Sequence, residues 1–167
     1  GLSGTVGSGD AASSYVGLGA AVDVTLRDGA IDALGLHADG ILAQSVGDAG
    51  RGDVSVSVER ALVRGGTGDA AGVRVLDGAA NLIRNDGGWI TTQAGIDGLA
   101  IAATGGDDTV RNAGLLSGRI DLGGGRNALV NEAGGRLDAG GTLLLGSGNT
   151  LTNQGMLSPL GLGRIGT

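Results

Sequence analysis

Short runs of alternating apolar and polar residues recur along most of the chain. Ala20-Ala21-Val22-Asp23-Val24-Thr25-Leu26, Val54-Ser55-Val56-Ser57-Val58 and Gly87-Gly88-Trp89-Ile90-Thr91-Thr92 each read as extended segments. A period of two turns one face of a strand inward and the other outward. The 3.6-residue period of an amphipathic helix is almost absent. Gly and Asx residues separate the runs, which is the chemistry of tight turns.

The runs repeat. Leu76, Gly78, Asn81, Ile83, Asn85 set a frame that returns as Ala103, Gly105, Asp108, Val110, Asn112. It returns again as Leu122, Gly124, Asn127, Leu129, Asn131, and as Leu144, Gly146, Asn149, Leu151, Asn153. The common form is apolar-x-Gly-x-x-Asx-x-apolar-x-Asn, with offsets of 27, 19 and 22 residues. Upstream, Gly29, Asp32 and Leu34 fit the frame, with Leu36 at the Asn position. A second element reads Asp39-Gly40-Ile41-Leu42-Ala43, Ala71-Gly72-Val73-Arg74-Val75 and Asp97-Gly98-Leu99-Ala100-Ile101. Gly118-Arg119-Ile120-Asp121-Leu122 and Gly141-Thr142-Leu143 are shorter versions of it.

A three- or four-residue strand cannot bury its apolar face alone. Stacking one unit on the next does bury it, as in a solenoid. The predicted fold is all-β: a right-handed, single-stranded parallel β-helix (β-solenoid) of about seven rungs, near 35 Å long at about 4.8 Å per rung. Rungs of 19–27 residues are expected. Residues 1–167 read as one segment, with 1–34 less regular. Equivalent turns in register align their amides, so Asn85, Asn112, Asn131 and Asn153 are candidates for a structural ladder along the axis.

Composition narrows the alternatives. Gly supplies 38 of 167 residues, Pro one and Cys none, and Trp and Tyr occur once each. Collagen needs a strict Gly-X-Y period and abundant Pro, and neither is present. Hydrophobic residues make up 41%, too many for a disordered chain. No apolar run is long enough for a membrane helix. Charge is −6 and rings are scarce, which argues against a nucleic-acid partner. Without Cys there is no disulfide framework and no thiolate metal site. The start at Gly1, with no signal peptide or Met ahead of it, suggests a segment excised from a longer protein.

Ala38-Asp39-Gly40-Ile41-Leu42-Ala43-Gln44-Ser45-Val46-Gly47 resembles a phrase of bacterial autotransporter (type V secretion) passenger regions. Ile120-Asp121-Leu122-Gly123-Gly124-Gly125-Arg126-Asn127 and Gly148-Asn149-Thr150-Leu151-Thr152-Asn153-Gln154-Gly155-Met156-Leu157-Ser158-Pro159 are similar to later repeats of that family. The likeness runs roughly from Gly35 to Thr167 and implies the right-handed β-helix. It also implies display at the cell surface of a Gram-negative bacterium, through an outer-membrane barrel outside this segment. An adhesin or cell-aggregation module is then the expected role. Its partners would be host-cell or neighbouring bacterial surface molecules, or further copies of itself. A non-binding stalk and a carbohydrate-active β-helix enzyme are the alternatives.

Candidate chemistry is sparse. Arg51-Gly52-Asp53 pairs a cation with an anion at a spacing that integrin-type receptors read, if it lies in a flexible turn. A plain Gly turn is the simpler explanation. Trp89, after Gly87-Gly88, is a binding candidate or a corner packing residue, and Tyr15 is the other lone ring. Gly105-Gly106-Asp107-Asp108 superficially resembles a calcium-binding nonapeptide, but the strict tandem that calcium needs is missing. Asp107 and Asp108 would at most hold a weak surface ion. His37, the one His, sits beside Asp39 in a turn and reads as a surface or packing residue rather than an acid–base group. Asp77, Asp107 and Asp121 are read as solvated turn acids rather than a glycosidase pair. No catalytic residue, metal or cofactor is expected.

Overall fold

The computed structural model describes residues 19–47 and 50–159. These form an all-β molecule whose strands run parallel in two sheets, with one short 3-10 turn at Gly95–Asp97. The strands fall into six courses among the described residues. The first holds β1 (Val22–Arg27), β2 (Ala30–Asp32) and β3 (Ile41–Ser45). The second holds β4 (Val54–Glu59), β5 (Leu62–Gly65) and β6 (Ala71–Asp77). The third holds β7 (Ala80–Asp86), β8 (Trp89–Thr92) and β9 (Leu99–Ala103). From there the courses shorten to β10 (Asp107–Asn112) with β11 (Leu115–Asp121), then β12 (Ala128–Asn131) with β13 (Arg136–Leu144). The last is β14 (Thr150–Asn153) with β15 (Met156–Pro159).

One sheet has the order β1-β4-β7-β10-β12-β14. The other bends back on itself at β11, whose Leu115 and Leu116 pair with β8 while Arg119–Asp121 pair with β9. Its two arms are β2-β5-β8 and β3-β6-β9, and β13 and β15 continue beyond β11. Within layers one to three, a loop separates the second strand from the third; in β11 and β13 a single strand runs through the corner, with a register shift after Gly118. That is why equivalent residues lie 32 apart at the first step but only 19 apart from Asn112 to Asn131. The first step thus exceeds the spacing expected from the frame.

Alternation does what the pattern demands. Val54, Val56 and Val58 are buried, while Ser55, Ser57 and Glu59 point outward. The register Val24, Val56, Ile83, Val110, Leu129, Leu151 forms one continuous aliphatic lane. Ile31, Val63, Ile90, Leu116, Leu137 and Leu157 form a second. Ile41, Val73, Ile101, Ile120 and Leu143 form a third. These lanes hold Val, Ile and Leu, and such branched aliphatics fill the narrow interior without a ring.

Two expectations need correction. Gly29, Asp32 and Leu34 do not belong with the Asn frame: Ala30–Asp32 pair with Leu62–Arg64 in the other sheet, and Leu34 and Leu36 are exposed in the following loop. The true equivalents of Asn81, Ile83 and Asn85 are Val54, Val56 and Val58. The second element is also two residues out of frame at its third copy, because Val73 pairs with Ile101 and not with Leu99.

Candidate functional site

Asn85 Nδ2 donates to Asn112 Oδ1 (2.8 Å), Asn112 Nδ2 to Asn131 Oδ1 (2.8 Å), and Asn131 Nδ2 to Asn153 Oδ1 (2.7 Å). Each amide also donates to the backbone of the neighbouring turn: Asn85 to Leu115 O, Asn112 to Arg136 O and Asn131 to Met156 O. Asn85, Asn112 and Asn131 are buried. Every donor points toward the C-terminal end, so the chain of amides is polarised and each bond strengthens the next.

A parallel lane runs Val22, Val54, Asn81, Asp108, Asn127, Asn149. Both polar lanes therefore begin at the third course, where amides succeed aliphatics. At that seam Asn81 Oδ1 and Asn85 Oδ1 face no hydrogen-bond donor. The valines beneath have none to offer. In the second lane Asn81 Nδ2 donates to Asp108 Oδ1 (2.8 Å), and Asp108 N–H donates to Asn127 Oδ1 (3.0 Å). Asp108 is fully buried, not a surface ligand as read from the sequence, and its Oδ2 has no partner. Burial pushes its carboxyl up to about 6; the Asn81 hydrogen bond opposes this, and the neighbouring Asp107 charge adds to it.

Turn glycines shape the corner before each polar lane. Gly106 and Gly125 have φ of 96° and 103°, and a Cβ on Gly125 would lie 1.8 Å from Gly106 O. Only glycine fits there.

Arg51-Gly52-Asp53 is not the free turn expected from the sequence. Gly52 N–H donates to Ser45 Oγ (2.9 Å), and Ala79 N–H donates to Gly52 O (3.1 Å). Asp53 Oδ1 takes the Ala80 N–H (3.0 Å), and Arg51 faces Asp77 at 3.5 Å. A Cβ at Gly52 would sit 2.4 Å from the carbonyl carbon of Ala20. Close backbone approach explains this glycine, while Arg51 and Asp53 on either side of it stay exposed. Gly52→Ala should lower stability by about 1–2 kcal/mol through overpacking against the first course, read as a shift in the urea midpoint. An unchanged midpoint would mean that Ala20 is free to move away.

Trp89 opens β8 and is 44% exposed, with Leu62 and Leu115 half-buried on either side in register. Gln93, just past β8, donates to Asp32 Oδ1 (2.8 Å) and Ala33 O (3.3 Å), fastening the loop that carries exposed Leu34 and Leu36 to the same sheet. An apolar strip with one ring therefore faces solvent on this side.

Ion pairs cross-link the first two courses. Arg27 clasps Glu59 with two nitrogens (2.5 and 3.2 Å), Arg60 clasps Asp28 (2.8 Å each), and Arg64 clasps Asp32. Arg74 reaches Asp39 (2.8 Å), and His37 Nδ1 meets Asp69. Hydrogen bonds from the guanidinium groups hold the carboxyls of Glu59, Asp28 and Asp32 below the usual range. A fork of donors suits this two-point geometry in a way that a lysine would not.

The remaining candidates stand apart. Asp107 accepts the Arg126 N–H (2.9 Å) and Asp121 accepts the Gly123 N–H (3.0 Å), both turn contacts. Among the described residues no three potential metal ligands cluster. Tyr15 lies outside the described residues. The amide seam and the burial of Asp108 were missed in sequence because aliphatic and amide lanes alternate identically. Comparison with family models, with characterised proteins and with solved structures finds no match for the chain.

Proposed function

We propose that this chain is a right-handed parallel β-helix acting as an adhesive segment of a bacterial surface passenger. The strip around Trp89, Leu62 and Leu115 carries the contact. A half-exposed indole between two half-buried leucines is what an adhesive surface needs and an inert spacer does not. The recurring parallel register supports the helical reading, since each lane advances one course per repeat. Surface display in a Gram-negative cell rests on the passenger-like phrases at Ala38–Gly47 and Gly148–Pro159.

A stalk is the second reading. It is favoured by the amide ladder and by the Arg–carboxylate clasps, which join neighbouring courses and stiffen the stack.

Beads coated with the chain separate the two. Bead clumping and bead attachment to Gram-negative and epithelial cells are scored for wild type, Trp89→Ser and Asp53→Asn. Wild-type beads should attach, Trp89→Ser should lose most of that attachment, and Asp53→Asn should keep it. Inert wild-type beads would leave the stalk. Loss in Asp53→Asn alone would return the contact to Arg51-Gly52-Asp53.

A further inference from the structure

One ring stands in the middle of the stack, with clasped ion pairs on both sides of it. We propose that the strip at Trp89 binds an uncharged, extended oligosaccharide, which lies along the stack axis with one sugar ring on the indole. The inference rests on the adhesive reading and names its ligand.

Trp89 belongs to the third course, has described courses packed before and behind it, and is still 44% exposed. Leu62 and Leu115 flank it in register, and Ala30 and Arg136 continue the same outward lane. The apolar strip is thus three residues long and one residue wide. A stable protein–protein contact buries about 800 Å² on each partner, around an apolar centre. One indole between two half-buried leucines is too small to be such a centre. It suits a narrow ligand with an apolar C–H face. An indole face is electron-rich and attracts the polarised C–H groups on one side of a sugar ring.

The rim selects the rest of the ligand. One course back, Arg60 and Arg64 stand two residues to either side of Leu62. Arg60 clasps Asp28 through Nε and Nη2, and Arg64 clasps Asp32 through the same two atoms. A Cβ on Gly87 would lie 3.7 Å from Arg60 Cγ, so the Arg60 stem runs beside the corner that leads into Trp89. Beyond Leu115, Arg136 holds Asp138 in the same two-point way. Each of these clasps leaves Nη1, with its two N–H donors, unbonded among the described residues. Each guanidinium charge is balanced by its own carboxylate. The rim therefore offers hydrogen bonds without net charge, which complements hydroxyl groups rather than an acidic or basic polymer. The forks are already fixed by their carboxylates, so little side-chain freedom is lost on binding.

Register sets the direction. Leu62, Trp89 and Leu115 follow one another at about 4.8 Å per course along the axis. A chain of sugar rings laid along them has Arg60 and Arg64 beside one end and Arg136 at the other. Laid across them it would touch a single course.

Trp89 is the sole Trp of the chain, so intrinsic fluorescence reads this site alone. The probes are cellopentaose, chitopentaose, maltopentaose and mannopentaose, their monosaccharides, and pentagalacturonate as the charged counterpart. At least one neutral pentasaccharide should shift the emission along a saturable curve, about tenfold more tightly than its monosaccharide, and pentagalacturonate should not. Leu115→Glu and Arg64→Met both keep the fluorophore; the first puts a charge in the strip and the second removes one fork. Each should weaken binding by about tenfold. Circular dichroism checks both folds, and exposed Arg64→Met keeps the test open if Leu115→Glu unfolds its course. Saturation by pentagalacturonate alone overturns the uncharged ligand. Equal affinity for monosaccharide and pentasaccharide overturns the axial arrangement. Wild-type beads that attach to cells while no neutral sugar moves the emission overturn the inference and leave adhesion to a protein surface. Inert beads together with silent fluorescence remove the adhesive reading as well.

Discussion

Asn112→Ala is expected to cost about 3–4 kcal/mol, lowering the melting temperature by about 10 °C for a chain of this size. The side chain is fully buried in the middle of the ladder. Its Oδ1 accepts from Asn85 Nδ2 (2.8 Å) and Gly114 N–H (3.2 Å), and its Nδ2 donates to Asn131 Oδ1 (2.8 Å) and Arg136 O (3.1 Å). Truncation therefore removes four bonds. Asn85 Nδ2 keeps Leu115 O, but Asn131 Oδ1 and the Gly114 N–H lose the only partners described for them. Each buried orphan costs roughly 1–3 kcal/mol. Asn112→Asp separates hydrogen bonding from cavity formation, because it keeps the shape. When ionised, it turns an acceptor toward Asn131 Oδ1 and Arg136 O. Its destabilisation should match that of alanine at neutral pH and shrink in acid, where a protonated carboxyl donates again. A loss under about 1 kcal/mol for alanine, by urea denaturation, would mean that water reaches the lane and replaces the amide.

The ladder was legible in sequence because every copy of the frame carries both its apolar marker and its terminal Asn. Periodicity of two says which residues face inward, and the recurrence of Gly says where the chain turns. Neither says which inward residues stack. Val54-Val56-Val58 lies under Asn81-Ile83-Asn85, yet shares no residue type with it at the flanking positions. A search guided by Asn passes over it and finds Gly29-Asp32-Leu34 instead, a chance fit from the other sheet. Register between distant strands is a tertiary property, decided by the total burial of the stack. The same limit applies to Arg51-Gly52-Asp53. The tripeptide gives no sign in sequence that the chain folds Ala20 against Gly52 and the Ala80 N–H onto Asp53. Trp89 was legible as singular, but its exposure depends on β8 starting right after the Gly87-Gly88 corner, with the indole on the outward phase.

Asp108→Asn should stabilise the protein at about pH 8 by about 2–3 kcal/mol and leave it unchanged near about pH 4. Asp108 stands in a lane whose later members are Asn127 and Asn149, and a protonated carboxyl is the closest mimic of an amide there. One oxygen accepts from Asn81; the other is buried without a partner, so the ionised form has nothing to solvate half of its charge. Its carboxyl is raised from 3.8 to about 6 by that burial. The sign follows from proton counting. A folded-state value above the unfolded one means that the native state holds the proton more tightly, so the contribution is full below about pH 4 and is lost as pH rises through about 6. Asp28, Asp32, Glu59 and Asp69 act in the opposite sense. Their lowered values, set first by hydrogen bonds from Arg60, Arg64, Arg27 and His37, support the fold above the unfolded range and release it as pH falls. The wild-type profile is the sum of both trends, so the difference between wild type and Asp108→Asn, measured by urea denaturation across this range, isolates the buried group. A difference that rises between about pH 4 and 7 and then levels is the expected curve. A flat difference would mean that Asp108 carries the same protonation folded and unfolded, and that its free oxygen finds a donor such as an internal water.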